Sequence, residues 1–398
     1  MLDGTSPAGL YYRFTLDGRC IPEGGYAVRY RDLGKTGYRV SQLGFGAMRL
    51  PMVGEGEDAR IDREKAIPMI HRAFEAGLNY IDTAVGYCNQ DSQRVVGEAL
   101  QGWRDKIVLS TKNHEYEDEA TWWSHLENSL ERLQVEFIDI YNHHGINWER
   151  YTQHVEPRVS KWMRKAVDQG LVKHICTSFH DNNENLIKLI ETGYPEVITL
   201  QYNMLDRQLE EGIALAHERG IGVVVMGPVA GGRLGVSSPV LRELIPDVDR
   251  VPELALRFVL SNPNVSVALS GMSTMQQVEE NLATASDDVA FSEEEQEEVR
   301  KHLIRLEAMA DLYCTGCGYC MPCPQEVNIP HIFQKYNEAR VYGLWEAASE
   351  AYRAWKWVSG KQADACIECG ECEEKCPQHI PIREQLQEAH EALMQGHA

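Results

Sequence analysis

Short apolar runs recur along residues 40–270, and each is followed by a longer stretch in which apolar positions return every three to four residues. A run that is apolar on both faces reads as a buried strand, and the longer period reads as a helix with one buried side. The strand candidates cover 40–46, 79–83, 106–111, 137–142, 174–178, 197–201, 221–227 and 265–270. Helix candidates fall after them at 63–76, 92–102, 121–133, 159–170, 182–192, 210–220, 252–260 and 274–285. Eight such repeats predict an α/β chain whose parallel sheet closes into a (β/α)8 TIM barrel. Such a barrel needs about 250 residues, and the chain has 398. The expected organisation is an extension over 1–28, the barrel over 29–290, a connecting helix over 291–310 and a separate C-terminal domain over 311–398. Ser292 and Glu295 form a capping box at the start of the connecting helix.

In a parallel barrel the chemistry sits where strands give way to loops at their carboxyl ends. The second strand candidate delivers Asp82 and, shortly after it, Tyr87; the third ends near Lys112 and the fourth is followed by His144. These four types fit carbonyl reduction. A phenol donates the proton that the new alcohol oxygen needs, provided its pKa of about 10 is brought down. An adjacent lysine stabilises the phenolate, an aspartate keeps the lysine charged and oriented, and a histidine hydrogen-bonds the carbonyl oxygen. Each residue alone would read as structural; four of complementary type at successive strand ends read as a site. Met48, Arg49, His114, Tyr116 and Trp148 are the loop residues placed to meet a substrate, with ordinary loop packing as the alternative role.

The segments RDLGKTGYRVSQLGFGAMRLP, NYIDTAVGY, VLSTK, FIDIYNHH, LQYN and GGRL, spread over residues 29–290, resemble the motifs of the aldo-keto reductase family. The resemblance implies a barrel enzyme that uses a nicotinamide cofactor, NAD or NADP, without a Rossmann domain. By position it aligns Asp82, Tyr87, Lys112 and His144 with the family's catalytic tetrad, His143 being a neighbour of the aligned residue. It also implies cofactor contacts at Gly46, Ser178, Gln201, Met226, Gly231, Arg233, Glu280 and Asn281. Phe179 and His180 depart from the family's usual Ser-Asn continuation, and Met226 stands where a tyrosine commonly stacks on nicotinamide. Gly271 and Gln277 replace the Lys and Arg with which many members grip the 2′-phosphate of NADP.

Eight of the eleven cysteines lie in two C-terminal runs, Cys314, Cys317, Cys320 and Cys323 in one and Cys366, Cys369, Cys372 and Cys376 in the other, each followed by proline. Three thiolates at successive intervals of three wrap three corners of a 4Fe-4S cube, whereas zinc more often takes two separated pairs. Two 4Fe-4S clusters are therefore expected, with structural zinc as the alternative. In two-cluster ferredoxins the fourth cysteine of each run serves the other cluster. That rule pairs Cys314, Cys317 and Cys320 with Cys376, and Cys366, Cys369 and Cys372 with Cys323. The helical segment between the runs makes the tail similar to an α-helical ferredoxin domain.

A formal charge of −21, from 39 basic and 60 acidic side chains, opposes nucleic acid and anionic lipid. The absence of a signal-like N-terminus and of a long apolar run, together with clustered cysteines, leads to the expectation of a cytoplasmic protein. The expected function is an oxidoreductase acting on a small carbonyl or alcohol, with an electron-transfer protein as a second partner. The competing reading is a non-catalytic barrel that senses nucleotide, with the clusters as a redox-sensing or docking surface.

Overall fold

The computed structural model describes residues 12–14, 20–22, 28–54, 56–230, 234, 239–242, 250–285, 291–311, 314, 318, 320–376 and 380–396. The chain divides into two compact units, Met1–Pro228 with Leu256–Ala290, and Val229–Ala255 with Phe291–Ala398. Residues 229–255, which the sequence pattern counts with the barrel, thus belong to the second unit.

The first unit is built on eight parallel strands that close on themselves. They are β1 (Leu43–Gly46), β2 (Tyr80–Asp82), β3 (Val108–Asn113), β4 (Ile138–Ile146), β5 (Val172–Phe179), β6 (Val197–Gln201), β7 (Gly222–Met226) and β8 (Val267–Gly271). Closure is by β8 on β1, where Leu269 pairs with Gly44 and Gly271 with Gly46. Along the chain between the strands run α1 (Arg63–Glu75), α2 (Ser92–Ala99), α3 (Glu119–Leu133), α4 (Ser160–Asp168), α5 (Asn183–Glu191), α6 (Glu210–Arg219), α7 (Val251–Ser261), of which the residues up to Ala255 are assigned to the second unit, and α8 (Met275–Thr284). Asp62, Asp118, Asn182 and Thr274 cap four of these helices by accepting from a backbone N–H in the first turn.

The amino-terminal end of the barrel is sealed by an antiparallel hairpin of Tyr30–Asp32 and Arg39–Ser41. Its turn inserts Leu33, which packs with Val40 against Val108, Ile140, Val197, Val224 and Val267. Leu33 lies so close to β7 that a Cβ on Gly222 would stand 2.7 Å from its Cδ1, which explains a glycine at the start of that strand. With one end closed by side chains, the open carboxyl ends of the strands are left to carry function.

Strand β4 corrects the sequence reading. It was expected to end at Asn142 but runs on to Ile146, with a register shift against β5 between His143 and Ile146. Two successive histidines and a glycine break the alternation that marks a strand, so the pattern hid the extension. The chain then continues as an unbroken helical segment through Trp148–Arg150 and a wide-turn stretch, Tyr151–Val159, into α4.

In the second unit, α9 (Glu293–Asp311) opens with the expected capping box, Ser292 N donating to Glu295 Oε2 at 2.7 Å and Glu295 N to Ser292 Oγ at 3.2 Å. Helices α10 (Ile329–Tyr342), α11 (Trp345–Ala354) and α12 (Ile382–Gln395) follow. They bury Ile332, Phe333, Ala339, Tyr352, Leu386 and Ala389 in one core, to which Cys320, Cys372 and Cys376 also belong. No helix among the described residues is long and apolar enough to cross a membrane.

Candidate active site

Asp82 is the last residue of β2, paired in register with Gly46 on one side and Ser110 on the other. Lys112 lies one residue from the end of β3, opposite Asn142 of β4. Both side chains are buried, at 6% and 2% exposure, and form an ion pair. The ammonium also donates to Thr83 O at 2.9 Å, and Ser110 Oγ donates to the other Asp82 oxygen at 2.7 Å. Burial alone would pull the lysine pKa down, but Asp82 and Tyr87 together raise it above its ordinary value, so Lys112 is charged.

Tyr87 lies above this pair, its ring centroid 5.0 Å from Lys112 Nζ. His144, on the extended part of β4, meets the same ring edge-on, with centroids 6.3 Å apart and planes at 83°. The structure therefore brings Asp82, Tyr87, Lys112 and His144 to one place. One sequence expectation is corrected here: the Tyr87 pKa is raised, because burial outweighs the charge and hydrogen bond of Lys112, which act downward as expected. A phenol held protonated is in the form that donates a proton.

His144 is pushed down to about 3 by burial and by the positive charges of Lys112, His180 and His114. It is accordingly neutral near pH 7 and hydrogen-bonds without adding charge. His143 is also pushed down to about 3 by burial, but it faces away, stacked on Tyr194 with its Nε2 2.8 Å from the phenol oxygen. Tyr116, expected as a substrate contact, is buried and donates to the backbone oxygen of His144 at 2.5 Å, so it braces the histidine. Met48, Arg49 and His114 are exposed and Trp148 is partly so.

Sequence reasoning missed the polar row behind the pair. Asn142 donates to Ser110 Oγ at 3.0 Å, and Thr199 Oγ1 donates to Asn142 Oδ1 at 3.2 Å. Ser110, Asn142 and Thr199 lie within otherwise buried strands, and polar side chains at such barrel-interior positions were the available signal.

Of the nucleotide-contact candidates, Gly46, Ser178, Gln201 and Met226 lie at or next to strand ends, and Glu280 and Asn281 lie on α8. Gly46 is crowded, since an added Cβ would stand 3.2 Å from Ser270 O. Gln201 and Met226 are register partners at the ends of β6 and β7, the first exposed and the second partly buried. Ser178 is buried, 3.3 Å from His180 Nε2, and Asn281 Nδ2 donates to Ser270 Oγ at 2.9 Å. Glu280 sits on α8, where it accepts from Gln276 at 2.9 Å. Glycine at a close approach, a polarisable apolar side chain and uncharged hydrogen-bonding groups fit a nicotinamide ring and its amide. Gly231 and Arg233 lie outside the described residues.

In the second unit one cavity is lined by five thiols, Cys320, Cys323, Cys366, Cys369 and Cys372. Glu368 and Gly370 adopt left-handed backbone, φ +57° and +83°, which coils the Cys366–Cys372 segment, and Glu368 N donates to Cys366 Sγ at 3.4 Å. Among the described residues no three potential ligands already stand as a metal site; the five thiols border one small cavity. Cys376 is buried in the same core and Cys314 is partly buried against it, while Cys317 lies outside the described residues.

A model of the aldo/keto reductase family matches residues 42–238, and a model of the 4Fe-4S dicluster domain matches 313–380. An aldo-keto reductase from Bacillus halodurans is similar in its holo form, with 28% identity and TM-score 0.59, and in its apo form, with 30% and 0.57. Each comparison covers 69% of this chain and 96% of that one. The chain belongs to the aldo/keto reductase family. Curated relatives include L-galactose dehydrogenase of Arabidopsis thaliana, 28% identical over 65% of this chain and 89% of the relative. Another is the NADH-specific methylglyoxal reductase of Escherichia coli strain K12, 25% identical over 63% and 91%. This aldo-keto reductase is thus an oxidoreductase with an added iron-sulfur domain, which accounts for a tail beyond the barrel.

Proposed function

We propose that this aldo-keto reductase interconverts a small carbonyl compound and its alcohol, with Tyr87 moving the proton at the carbonyl oxygen. The observation that carries the proposal is the buried Asp82–Lys112 pair set against the Tyr87 ring, with neutral His144 at the ring's edge. When bound, a nicotinamide nucleotide supplies the hydride for reduction or accepts it in oxidation. Tyr87, kept protonated by burial, donates to the carbonyl oxygen as negative charge develops there. Lys112, fixed by Asp82 and by Thr83 O, stabilises the phenolate left behind. His144 donates a hydrogen bond to the same oxygen from its uncharged ring. In the alcohol-oxidising direction the Tyr87 phenolate takes the hydroxyl proton.

Around the nucleotide, Gly46, Ser178, Gln201, Met226, Glu280 and Asn281 are the contacts proposed within the described residues. Gln277 is engaged locally, its Oε1 accepting from Ser273 N at 2.7 Å, and the stem of Arg49 fills the space beside Gly271. Neither position offers the cation that would select NADP, and NAD is accepted. The E. coli relative, named as NADH-specific, supports this reading. In the tail, two 4Fe-4S clusters when bound carry single electrons. One is held by Cys366, Cys369, Cys372 and Cys323, which line one cavity together with Cys320, and the other by Cys314, Cys317, Cys320 and Cys376, the crossed assignment following the two-cluster ferredoxin rule. An electron-transfer protein is the proposed second partner.

Replacing Tyr87 by Phe tests the assignment. Turnover of an accepted aldehyde falls by about 10²-fold or more, the typical loss of a general acid, while nucleotide affinity stays within about twofold. A variant that turns over at the parent rate refutes Tyr87 as the donor.

A further inference from the structure

Outside the carbonyl site, the flank of the first unit carries an open polar cleft of about 580 Å³ lined by Arg60, Asn89, Gln90, Asp91, Arg94 and Arg132. None of these belongs to the Asp82, Tyr87, Lys112 and His144 group. Three arginines line it in a chain whose acidic side chains outnumber its basic ones, 60 to 39; Arg60 Nη1 also donates to Ala59 O at 2.8 Å. The one carboxylate of the cleft, Asp91, is already engaged: it accepts from Arg63 at 3.0 and 2.9 Å and from Ile61 N at 3.0 Å. Among the described residues neither Arg94 nor Arg132 forms a salt bridge.

The loop that lines the cleft is held in an unusual backbone. Cys88, Asn89 and Gln90 are successive non-glycine residues at φ +50°, +52° and +65°, a region that side chains adopt reluctantly. Asn89 Nδ2 donates to Gly56 O at 2.9 Å and to Ala59 O at 3.2 Å, which fastens this loop to the segment bearing Arg60. The result is a set of arginines and amides around a space too large for one ion. Guanidinium forks match tetrahedral oxyanions, and charge-assisted pairs of this kind are the strong hydrogen bonds.

We propose that the cleft formed by Arg60, Arg94 and Arg132 with Asn89 and Gln90 binds the phosphate group of a small organic phosphate. The phosphate sits against the arginine side chains that line the cleft, and the remaining volume takes the organic part. The site is independent of nicotinamide binding at the strand ends.

The test is calorimetric titration of the full-length, cluster-loaded protein, saturated with NAD, at low ionic strength. The probes are inorganic phosphate and glycerol 3-phosphate, with glycerol as the control. Saturable binding of both phosphates is expected, the ester at least as tightly as inorganic phosphate, and no binding of glycerol. Arg94→Gln, at an exposed position, weakens both by about tenfold, and Arg94→Gln with Arg132→Gln weakens them by about a hundredfold; NAD affinity is unchanged. Absence of saturable binding, parent-like binding by both variants, weaker binding of the ester than of phosphate, or displacement of phosphate by the nucleotide would each overturn the proposal.

Discussion

Asp82→Asn removes the charge that holds Lys112 ionised while leaving a side chain of the same shape. At an ordinary contact distance of about 2.8 Å and an effective dielectric of about 20, the lost attraction is about 6 kcal/mol. The variant recovers part of it through relaxation, so the net cost of breaking the buried pair is about 3–5 kcal/mol. With a denaturant slope of about 3 kcal/mol per M, the urea midpoint of the barrel falls by about 1–2 M at pH 7. The sign of the pH effect follows from the direction of the shift. Lys112 has a folded pKa raised above 10.5, so its contribution is complete below that value and disappears only as pH rises through the folded pKa. In the variant burial is opposed by Tyr87 alone, and Lys112 loses its proton at lower pH. One pH unit corresponds to about 1.4 kcal/mol, so the alkaline limb of turnover moves down by about two pH units or more. Urea unfolding and a pH–rate profile on the same anaerobic preparations read both effects. A variant with the parent midpoint and the parent alkaline limb refutes the role given to the pair.

Dissociation constants for NAD and NADP differ by less than about tenfold, since the positions of the family's phosphate-gripping Lys and Arg are Gly271 and Gln277; a preference for NADP of about a hundredfold would show that another cation has taken their place. His143 and His144 have folded pKa values near 3 against an ordinary 6.5, so stability is lost as pH falls from about 6.5 towards 3, where the unfolded chain binds protons and the folded one does not. His143→Gln, which removes the group buried against Tyr194, flattens the decline in unfolding free energy between pH 7 and 5, and an unchanged slope contradicts the assignment. Cys323→Ser leaves the Cys366, Cys369 and Cys372 set without its fourth thiolate, and bound iron falls by about half, from about eight to about four atoms per chain. Parent-level iron in that variant would rule out the crossed pairing.

What the sequence makes readable here is what local chemistry decides. Val223, Val224 and Val225 are buried on both faces of the sheet, so an uninterrupted apolar run announces β7 without ambiguity. Asp82 and Lys112 are readable for a related reason, because a charged residue at the end of such a run has little structural use. The bulged end of β4 is different, since His143, His144 and Gly145 carry no strand period; the strand continues only because His143 pairs with β3 and β5 and Ile146 with β5, on either side of Gly145 at φ +76°. The direction of the Tyr87 pKa was unreadable because it is a balance: the lysine that lowers it is visible in the sequence, whereas the burial that outweighs it is a property of the assembled barrel. Arg132 belongs to the same class. As a basic residue near the end of α3 it looks like an ordinary partner for the helix dipole; only the folded chain brings it together with Arg60 and Arg94 around one cleft. Single residues and their spacing therefore disclose the reacting groups, while the quantities that govern those groups, desolvation and convergence of charge, arise from contacts between segments far apart in the chain.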